Sequence, residues 1–382
     1  MKSEPQKKFK KKWTLEAVLP TSFFVQFSEK LFHPQNPDLL ETGNLGKNAR
    51  RLLIIDENVY KHHGKEIENY FTENKILYKT LILKSEEISK DWQATIAILN
   101  AMEDFKLQRQ GEPIIAIGGG ILLDLAGFAA NLYRRGVPYI RVPTTLLALV
   151  DASVGVKTGI NHFGRRNRLG SYYPPVGSYL DVSFLNTLSE KDLSNGFGEI
   201  LKMAVIKDNE LFLLLENHGK KLIDSKMQEG NNSHEVIHRS IQGMIEELEP
   251  NLWENDMRRL VNFGHSFSPM VEMNALPELS HGEAVALDVL FSSVLSAQRN
   301  LMQWSEVERI FETMKMLGLP TFHPLFNDQN ILQEGLADTV RHRNSAQELP
   351  IPVAIGRAIF INDLNSNEIS EASKIMKNKF SI

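Results

Sequence analysis

The first half of the chain alternates short apolar runs with stretches whose apolar residues have helical spacing. Residues 51–56 (RLLIID) form an apolar run that ends in an acid, and residues 113–120 (PIIAIGGG) form another that ends in three glycines. A helical pattern follows each run, as in ILLDLAGFAA at residues 121–130. This alternation predicts an α/β domain that continues through YIRVPTTLLALVD and closes with SYLDVSFL near Thr187.

From Ser189 onward the pattern changes to long amphipathic stretches. Their apolar positions recur at helical spacing over residues 193–217, 233–248, 281–297 and 305–317. We therefore predict two domains, an α/β domain over residues 1–188 and a helical domain over residues 189–382. Because no repeat or low-complexity linker separates them, we expect the domains to pack closely around a ligand-binding cleft.

Length and composition are those of a globular protein with two domains. The chain has 382 residues, of which 42% are hydrophobic and 24% charged, which excludes a disordered or fibrous class. A net charge of -4 argues against nucleic acid or an anionic membrane as the main partner. No apolar run reaches the ~20 residues of a spanning helix and no signal-peptide core is present, so we expect a cytoplasmic protein. The lysine-rich start, about residues 1–13, is predicted to be a disordered arm.

The chain has no cysteine, so any metal must be held by histidines and carboxylates. Three candidates stand out in the helical half, namely Glu199, His265 and His281. One carboxylate and two imidazoles leave a coordination position open, as in a catalytic zinc site, although the HExxH signature is absent. Lys202 lies one helical turn after Glu199, and a simple surface ion pair is the alternative for these two. Six other histidines show no comparable setting, and we expect them to be surface or packing residues: His62, His63, His218, His234, His238 and His323.

A second candidate site lies in the glycine-rich segment 144–175. Its charged residues are Asp151, Lys157, Arg165, Arg166 and Arg168. Four cations among glycines that allow close approach of the backbone suit an anion such as a phosphate ester. The alternative is a solvated basic loop, but the apolar residues on both sides favour a functional segment.

Glycines 118–120 end a predicted strand and precede a predicted helix. The free N–H groups at such a helix start can hold a pyrophosphate, and Asp56 and Asp124 could accept a ribose hydroxyl. The GxGxxG fingerprint is absent, so this would be a dinucleotide site of a non-standard kind. The alternative is that the glycines serve only to turn the chain.

Several longer motifs carry a family resemblance. In chain order they are GGGILLDLAGFAA, YRRGVPYIRVPTTLLALVDASVGVKTGIN, NRLGSYYPP, GFGEILKMAVI, RRLVNFGHSFSP and HGEAVALD. Over roughly residues 52–356 the chain resembles the 3-dehydroquinate synthase-like sugar phosphate cyclases. The resemblance implies a Rossmann-like NAD-binding domain followed by an α-helical metal-binding domain, in a homodimer with the active site between the domains.

The resemblance also implies a reaction. Bound NAD+ oxidises a secondary alcohol of a sugar phosphate, phosphate leaves by β-elimination, the hydride is returned, and an intramolecular aldol addition closes a carbocycle. It assigns Zn2+ or Co2+ to Glu199, His265 and His281. The implied substrate and catalytic contacts are Asp151, Lys157, Asn167, Lys202, Arg258, Asn262 and, from the partner subunit's copy of the chain, Arg135. The implied NAD contacts are Asp56, Asn58, Glu87, Lys90, Gly119, Gly120, Asp124, Thr144, Thr145, Asp151, Arg166 and Thr187.

Departures from the dehydroquinate motif predict the subfamily. The chain reads GHSFSP where dehydroquinate synthases read GHTFGH, so Pro269 replaces a histidine, and a carboxylate-binding lysine is replaced near Met244. A pocket without this cation should prefer a substrate that lacks a carboxylate. Together with PNLWE this looks like the 2-epi-5-epi-valiolone synthase subfamily, which cyclises sedoheptulose 7-phosphate.

The alternatives are, in order, 2-epi-valiolone or desmethyl-4-deoxygadusol synthesis from the same substrate, 3-dehydroquinate synthesis and a metal-dependent polyol dehydrogenase. A catalytically inactive binding protein is less favoured, because every ligand is present. The basic residues 341–343 could add a phosphate contact.

Overall fold

The computed structural model describes residues 12–43, 49–228, 230–343 and 345–381. All but the last two residues of the predicted N-terminal arm lie outside this part of the chain. The strands are β1 Phe24–Phe27, β2 Arg50–Asp56, β3 Leu77–Leu83, β4 Ile114–Gly118, β5 Tyr139–Pro143, β6 Lys157–His162, β7 Arg165–Tyr172, β8 Gly177–Leu180, β9 Leu349–Ala354 and β10 Arg357–Ile361. The helices are α1 Glu57–Glu73, α2 Trp92–Asp104, α3 Gly120–Leu132, α4 Glu190–Ile206, α5 Asn209–Asp224, α6 Gly230–Leu248, α7 Ser268–Ala275, α8 His281–Gln298, α9 Trp304–Met316, α10 Gln329–His342 and α11 Ser366–Phe380.

The first half folds around a parallel sheet of six strands in the order β1-β8-β5-β4-β2-β3. The central strands β4 and β5 are fully buried because helices cover both faces of the sheet. Helix α1 packs on one face through Ile67, Tyr70 and Phe71, whereas α2 and α3 cover the other. The predicted α/β class is confirmed, and β2 and β4 end side by side at the carboxyl edge, where α/β proteins bind ligands.

The second half is mainly helical and packs around α8, most of which is fully buried. The predicted stretch 193–217 proves to be two helices, because Asp208 interrupts it by capping α5: its Oδ1 accepts a hydrogen bond from the N–H of Leu211 at 3.0 Å. An antiparallel hairpin of β9 and β10 also belongs to this half, which the helical prediction did not include. The chain passes from sheet to helices between Leu180 and Glu190, and the boundary at residue 188 stays a prediction.

The glycine-rich segment 144–175 forms a π-helical turn at Ala148–Ala152 and the antiparallel hairpin of β6 and β7. Strand β6 packs on α3 of the sheet domain, whereas β7 reaches α7 of the helical domain. The hairpin therefore carries its charged residues into the space between the two halves. In the described part of the chain, no helix is both long and apolar enough to span a bilayer.

Candidate metal and cofactor site

Two glycines bring the first pair of predicted metal ligands together. Helices α4 and α8 touch where Gly198 meets Gly282, so closely that a Cβ atom on Gly198 would lie 2.1 Å from the carbonyl oxygen of Gly282. Glu199 follows the first glycine and His281 precedes the second. Helix–helix contact through backbone atoms therefore places both side chains at one crossing point.

The third predicted ligand, His265, lies in a turn that two features hold in place. Gly264 has a left-handed backbone with φ of 71°, which only glycine adopts without strain. Next to the turn, Asp288 of α8 accepts hydrogen bonds from the backbone N–H groups of Phe267 and Ser268 at 2.7 and 2.9 Å and so caps α7 from outside. The turn is thus anchored to the helix that begins at His281.

The three predicted ligands converge on one point. Nε2 of His265 and Nε2 of His281 each lie 3.4 Å from the same oxygen, Oε1 of Glu199. One ligand atom from each residue lies within 4.8 Å of the others. His265 also turns its Nδ1 to the carbonyl oxygen of Phe263 at 3.0 Å, which leaves Nε2 free to face the centre of the cluster.

Glu199 is a buried carboxylate that requires a cation. Its side chain is 2% exposed, and neither of its oxygens has a hydrogen-bond partner within the described residues. The ammonium of Lys202 forms an ion pair with Oε2 at 2.5 Å. Burial opposes the charge, yet Lys202 and the two histidines hold the Glu199 pKa well below its usual range. Lys202 is itself 3% exposed, so the pair is not a surface ion pair.

The pKa values of the two histidines shift in opposite directions, although burial opposes the charge on both. Desolvation lowers the pKa of His265 to about 3, assisted by the nearby charge of Lys202. Burial also opposes protonation of His281, but Glu272 and Glu199 outweigh it and raise its pKa to about 9. Two imidazoles, one carboxylate and no sulfur form a donor set that fits Zn2+ or Co2+.

Asp151, which the sequence assigns to the site, lies in the π-helical turn near this cluster. Desolvation raises the pKa of its carboxyl group, and the negative charge of Glu199 raises it further, while Lys202 opposes both effects. Asp151 is therefore a carboxyl group that holds a proton more readily than an exposed aspartate. π-helical turns often occur at functional sites.

Glu272 is a member of the site that sequence reasoning missed. Its Oε2 lies 3.0 Å from Nδ1 of His281, and Arg166 of the hairpin pairs with the same oxygen. Burial opposes its charge, but Arg166 and His281 lower the Glu272 pKa to about 2. The available signal was that Glu272 is the one charged residue of α7, between the two predicted histidine ligands.

A second missed carboxylate, Glu254, lies opposite the hairpin. It forms ion pairs with both Lys157 and Arg259 and accepts a hydrogen bond from the hydroxyl of Tyr172 at 3.2 Å. The Lys157 side chain is 59% exposed, and neighbouring protein atoms limit the water around its ammonium. Their desolvation lowers its pKa, against the opposing charge of Glu254. Its position in the quoted PNLWE motif was the only signal for Glu254.

Asn167 joins the hairpin to the sheet domain. Its Oδ1 accepts a hydrogen bond from the ammonium of Lys90 at 2.6 Å, and Lys90 also pairs with Asp124 at 2.6 Å. Asn161 donates to the side chain of Glu87 at 2.7 Å and accepts from the backbone N–H of Asn167 at 2.9 Å. The structure therefore gathers three predicted NAD contacts, Glu87, Lys90 and Asp124, around the predicted substrate contact Asn167.

Most of the hairpin cations already face carboxylates of the protein. Arg166 bridges Glu87 and Glu272, and Arg165 lies near Glu334 and Asp338 at 3.6 and 3.4 Å. Within the described residues, Arg168 has no ion pair. An anion site at this hairpin stays a prediction, and the salt bridges of Arg165 and Arg166 leave less positive charge for it.

The carboxyl edge of the sheet carries further predicted NAD contacts. Oδ1 of Asp56 caps α1 by accepting from the backbone N–H of Asn58 at 2.9 Å. Gly119 is the N-cap of α3 and supplies no side-chain cap, and a Cβ atom there would lie 3.2 Å from Cγ2 of Thr145. The start of α3 from Gly120 thus offers backbone N–H groups inside a narrow turn, which fits a pyrophosphate.

Two threonines frame this edge. Thr144 is buried and donates its backbone N–H to the carbonyl oxygen of Gly118 at 3.0 Å, which holds the turn against the end of β4. Thr187 donates its hydroxyl to the carbonyl oxygen of Phe184 at 3.0 Å and lies 3.3 Å from Nε2 of His63. His63 packs on the ring of Phe184, in agreement with its assignment as a packing residue.

Three predicted contacts remain, namely Arg258, Asn262 and Arg135. Arg258 pairs with Glu348 at 3.1 Å, and Asn262 donates to the carbonyl oxygen of Met257 at 3.3 Å. Arg135 is exposed on the sheet domain with φ of 64°, a left-handed backbone that is strained for arginine. No ion pair of Arg135 is present within the described residues.

Pro269 and Met244, from which the subfamily is predicted, differ in solvent exposure. Pro269 is exposed in the first turn of α7, whereas Met244 is buried in the core of the helical half. In the basic cluster 341–343, Arg343 is buried and donates to the carbonyl oxygens of Gln347 and Glu348. Desolvation lowers the pKa of His342, and Lys157 lowers it further, which places His342 on the side of the cleft that holds Lys157.

Comparison with known proteins gives matches over nearly the whole chain. Residues 80–195 match the family model for the 3-dehydroquinate synthase N-terminal region, and residues 196–340 match the model for its C-terminal region. A 2-epi-5-epi-valiolone synthase from Actinomyces sp is 42% identical over 372 residues, covering 96% of this chain and 97% of the relative. A demethyl-4-deoxygadusol synthase from Trichormus variabilis is 35% identical over 92% of this chain and 89% of the relative.

A solved structure is similar over the same length. The 2-epi-5-epi-valiolone synthase ValA from Streptomyces hygroscopicus subsp. jinggangensis 5008, determined with NAD+ and Zn2+ bound, superposes with a TM-score of 0.93. It is 42% identical, and the match covers 96% of this chain and 100% of that one. The likeness therefore extends over both halves of the molecule and the cleft between them.

Proposed function

The chain belongs to the 3-dehydroquinate synthase family, and from that premise we propose that it is a sugar phosphate cyclase that converts sedoheptulose 7-phosphate to 2-epi-5-epi-valiolone with release of phosphate. The observation that carries this proposal is the 42% identity to a 2-epi-5-epi-valiolone synthase along 96% of the chain. The demethyl-4-deoxygadusol synthase is less similar, at 35%. Synthesis of that product is the second candidate.

The proposed metal ligands are Glu199, His265 and His281. The buried oxygens of Glu199 lack hydrogen-bond partners within the described residues, and two imidazole nitrogens face one of these oxygens at 3.4 Å. A divalent cation would satisfy all of these groups at once. We assign Zn2+, with Co2+ as the alternative, because both accept nitrogen and oxygen donors.

The proposed NAD site lies at the carboxyl edge of the sheet. The start of α3 at Gly120 would receive the pyrophosphate, and Asp56, at the end of β2, would accept a ribose hydroxyl. Glu87, Lys90 and Asp124 lie on the side of this edge that faces the hairpin. When bound, NAD+ accepts and returns a hydride and the divalent ion acts as a Lewis acid on substrate oxygens.

The residues of the cleft would bind the sugar phosphate and move its protons. The ammonium of Lys157 would face the phosphate group and stabilise the charge that develops as it leaves. Asp151, whose pKa is raised by desolvation, would hold or release a proton at a substrate hydroxyl, and Lys202 would keep Glu199 charged. Asn167, Arg258 and Asn262 would orient the sugar chain.

We also propose that the enzyme is a cytoplasmic homodimer. Arg135 would reach the phosphate in the partner subunit's site, which gives a reason for its exposed position and its strained backbone. A guanidinium suits this task because it binds phosphate through two parallel hydrogen bonds.

The proposed substrate rests on two departures from the dehydroquinate motif in the sequence. Pro269 cannot replace the imidazole of a histidine, and Met244 cannot replace the charge of a lysine. A substrate carboxylate would then lose its cation, so the pocket should prefer the heptulose phosphate over the carboxylated precursor of 3-dehydroquinate.

Phosphate release by the purified protein tests this proposal. The assay contains NAD+ and Zn2+ or Co2+ and offers sedoheptulose 7-phosphate in one reaction and the carboxylated precursor of 3-dehydroquinate in the other. The expected result is release from the heptulose phosphate alone. Release from the carboxylated substrate alone would contradict the proposal and indicate a 3-dehydroquinate synthase. Oxidation of unphosphorylated polyols with accumulating NADH would indicate a dehydrogenase.

A further inference from the structure

We propose that Glu272, held by Arg166, is a positioning residue that fixes the ring of His281 so that its Nε2 binds the metal. The inference depends on the proposed function, because it assumes the metal site formed by Glu199, His265 and His281. It assigns a role to two residues that contact one metal ligand from the side opposite to the ion.

The geometry selects one tautomer of His281. Its Nδ1 lies 3.0 Å from Oε2 of Glu272, whereas its Nε2, on the other edge of the ring, lies 3.4 Å from Oε1 of Glu199. A carboxylate only accepts hydrogen bonds, so the neutral imidazole that binds a metal keeps its proton on Nδ1 and donates it to Glu272. Nε2 then presents its lone pair to the ion, which is how histidine ligands of metals are usually oriented.

Arg166 completes the arrangement. One of its terminal nitrogens pairs with Oε2 of Glu272, the oxygen that faces His281, and lies 2.7 Å from Nδ1 of that ring. A guanidinium cannot accept a hydrogen bond, so both groups donate to the single oxygen of Glu272. The side chain of Glu272 is 2% exposed, and the guanidinium supplies the charge that such a buried carboxylate requires.

The same guanidinium reaches the sheet domain. Nε of Arg166 lies 3.0 Å from Oε1 of Glu87, and the Glu87 carboxylate also accepts a hydrogen bond from Asn161. Glu87 is one of the predicted NAD contacts. The position of His281 is therefore tied, through Glu272 and Arg166, to the side of the cleft where the cofactor is proposed to bind.

A purely structural role makes a different prediction. If Glu272 only neutralises Arg166, Glu272→Asp should be almost silent, because it keeps the charge beside the guanidinium. If Glu272 orients His281, the shorter side chain withdraws its oxygen from Nδ1 and metal binding weakens although the protein remains folded. The Glu272→Gln variant removes the charge and should have the larger effect.

The test is the dissociation constant of Zn2+ for the full-length apoprotein, measured by competition with a chelator. We expect Glu272→Gln to weaken binding by about 10–100-fold, with a smaller loss for Glu272→Asp. The absorption spectrum of the Co2+-loaded protein should change in both variants, because the coordination geometry changes. Glu112→Gln is the matched control: Glu112 is also buried and paired with an arginine, Arg50 at 2.9 Å, but it contacts Arg50 and the backbone N–H of Gln108 and none of the proposed metal ligands.

Circular dichroism establishes which variants are folded before the comparison. If Glu272→Gln does not fold, Glu272→Asp decides the question alone. A Zn2+ affinity and a Co2+ spectrum equal to those of the Glu112→Gln control would overturn the inference while the proposed function stands. A wild-type protein that binds no Zn2+ and releases no phosphate would instead refute the proposed function.

Discussion

Gly198 and Gly282 touch across two crossing helices, and each is the chain neighbour of a proposed metal ligand. A Cβ atom on Gly282 would lie 1.8 Å from the carbonyl oxygen of Asn195, and one on Gly198 would lie 2.1 Å from the carbonyl oxygen of Gly282. These are contacts with backbone atoms, which cannot move aside as a side chain can. The distance between Glu199 and His281 therefore depends on the absence of two methyl groups.

Gly282→Ala should separate α4 from α8 and weaken the metal site. We expect an unfolding free energy lower by about 1–3 kcal/mol, the usual cost of overpacking, and a lower Zn2+ affinity of the folded protein. Chemical denaturation and chelator competition measure the two effects. Gly335→Ala is the control, because a Cβ there meets its nearest atom at an ordinary 3.5 Å. Equal behaviour of the two variants would show that the glycine contact does not set the site.

His265→Ala should lose both the bound metal and the activity. The variant removes one of three ligands, whereas the fold retains the turn through Gly264 and Asp288. Metal analysis after gel filtration and a phosphate-release assay provide the measurements. His238→Ala serves as the control, since His238 is exposed on α6. Full metal content and turnover in His265→Ala would refute the ligand assignment.

The class of the fold was predictable from the sequence because its signals are local. The apolar runs 51–56 and 113–120 contain β2 and β4, and the helical spacing over 281–297 and 305–317 corresponds to α8 and α9. The split of the stretch 193–217 was missed because Asp208 is only a capping residue, and the amphipathic spacing continues on both sides of it.

Lys157 should set the alkaline limit of activity. Desolvation lowers its pKa below the ordinary 10.5, and the amine is charged only below that lowered pKa. Binding of the substrate phosphate should therefore decline as the pH rises through it. The pH profile of kcat/KM reports this group in the free enzyme. In Lys157→Arg the charge persists to higher pH, so the alkaline limb should move upward even if the rate is lower. If the alkaline limb of the pH profile does not move, a group other than Lys157 causes it.

Arg135 should act in the partner subunit's site. Arg135→Ala and Lys157→Ala should each be nearly inactive as homodimers. If the two variants are unfolded together and refolded as a mixture, half of the dimers contain one intact site, so about a quarter of the wild-type activity should return. Activity no higher than the sum of the separate variants would show that Arg135 does not cross between subunits.

The candidate site was harder to predict than the fold, because its missing members are defined by neighbours that are distant in sequence. Glu272 contacts Arg166 and Glu254 contacts Lys157, and both cations belong to a hairpin far earlier in the chain. The local signals, the PNLWE motif for Glu254 and the single acid of α7 for Glu272, do not indicate which cation each acid contacts. The ion pairs of Arg165 and Arg166 are also long-range, so no local signal in the sequence indicates them.

The central claim is a phosphate-eliminating cyclisation in which NAD+ is regenerated, and one experiment tests it most directly. Purified protein with Zn2+ and a small amount of NAD+ is incubated with excess sedoheptulose 7-phosphate, and phosphate, absorbance of NADH and the product's NMR spectrum are followed together. We predict phosphate in large excess over the NAD+ supplied, no accumulation of NADH, and the spectrum of 2-epi-5-epi-valiolone. Phosphate or oxidised product limited to the amount of NAD+, with NADH accumulating, would contradict the claim.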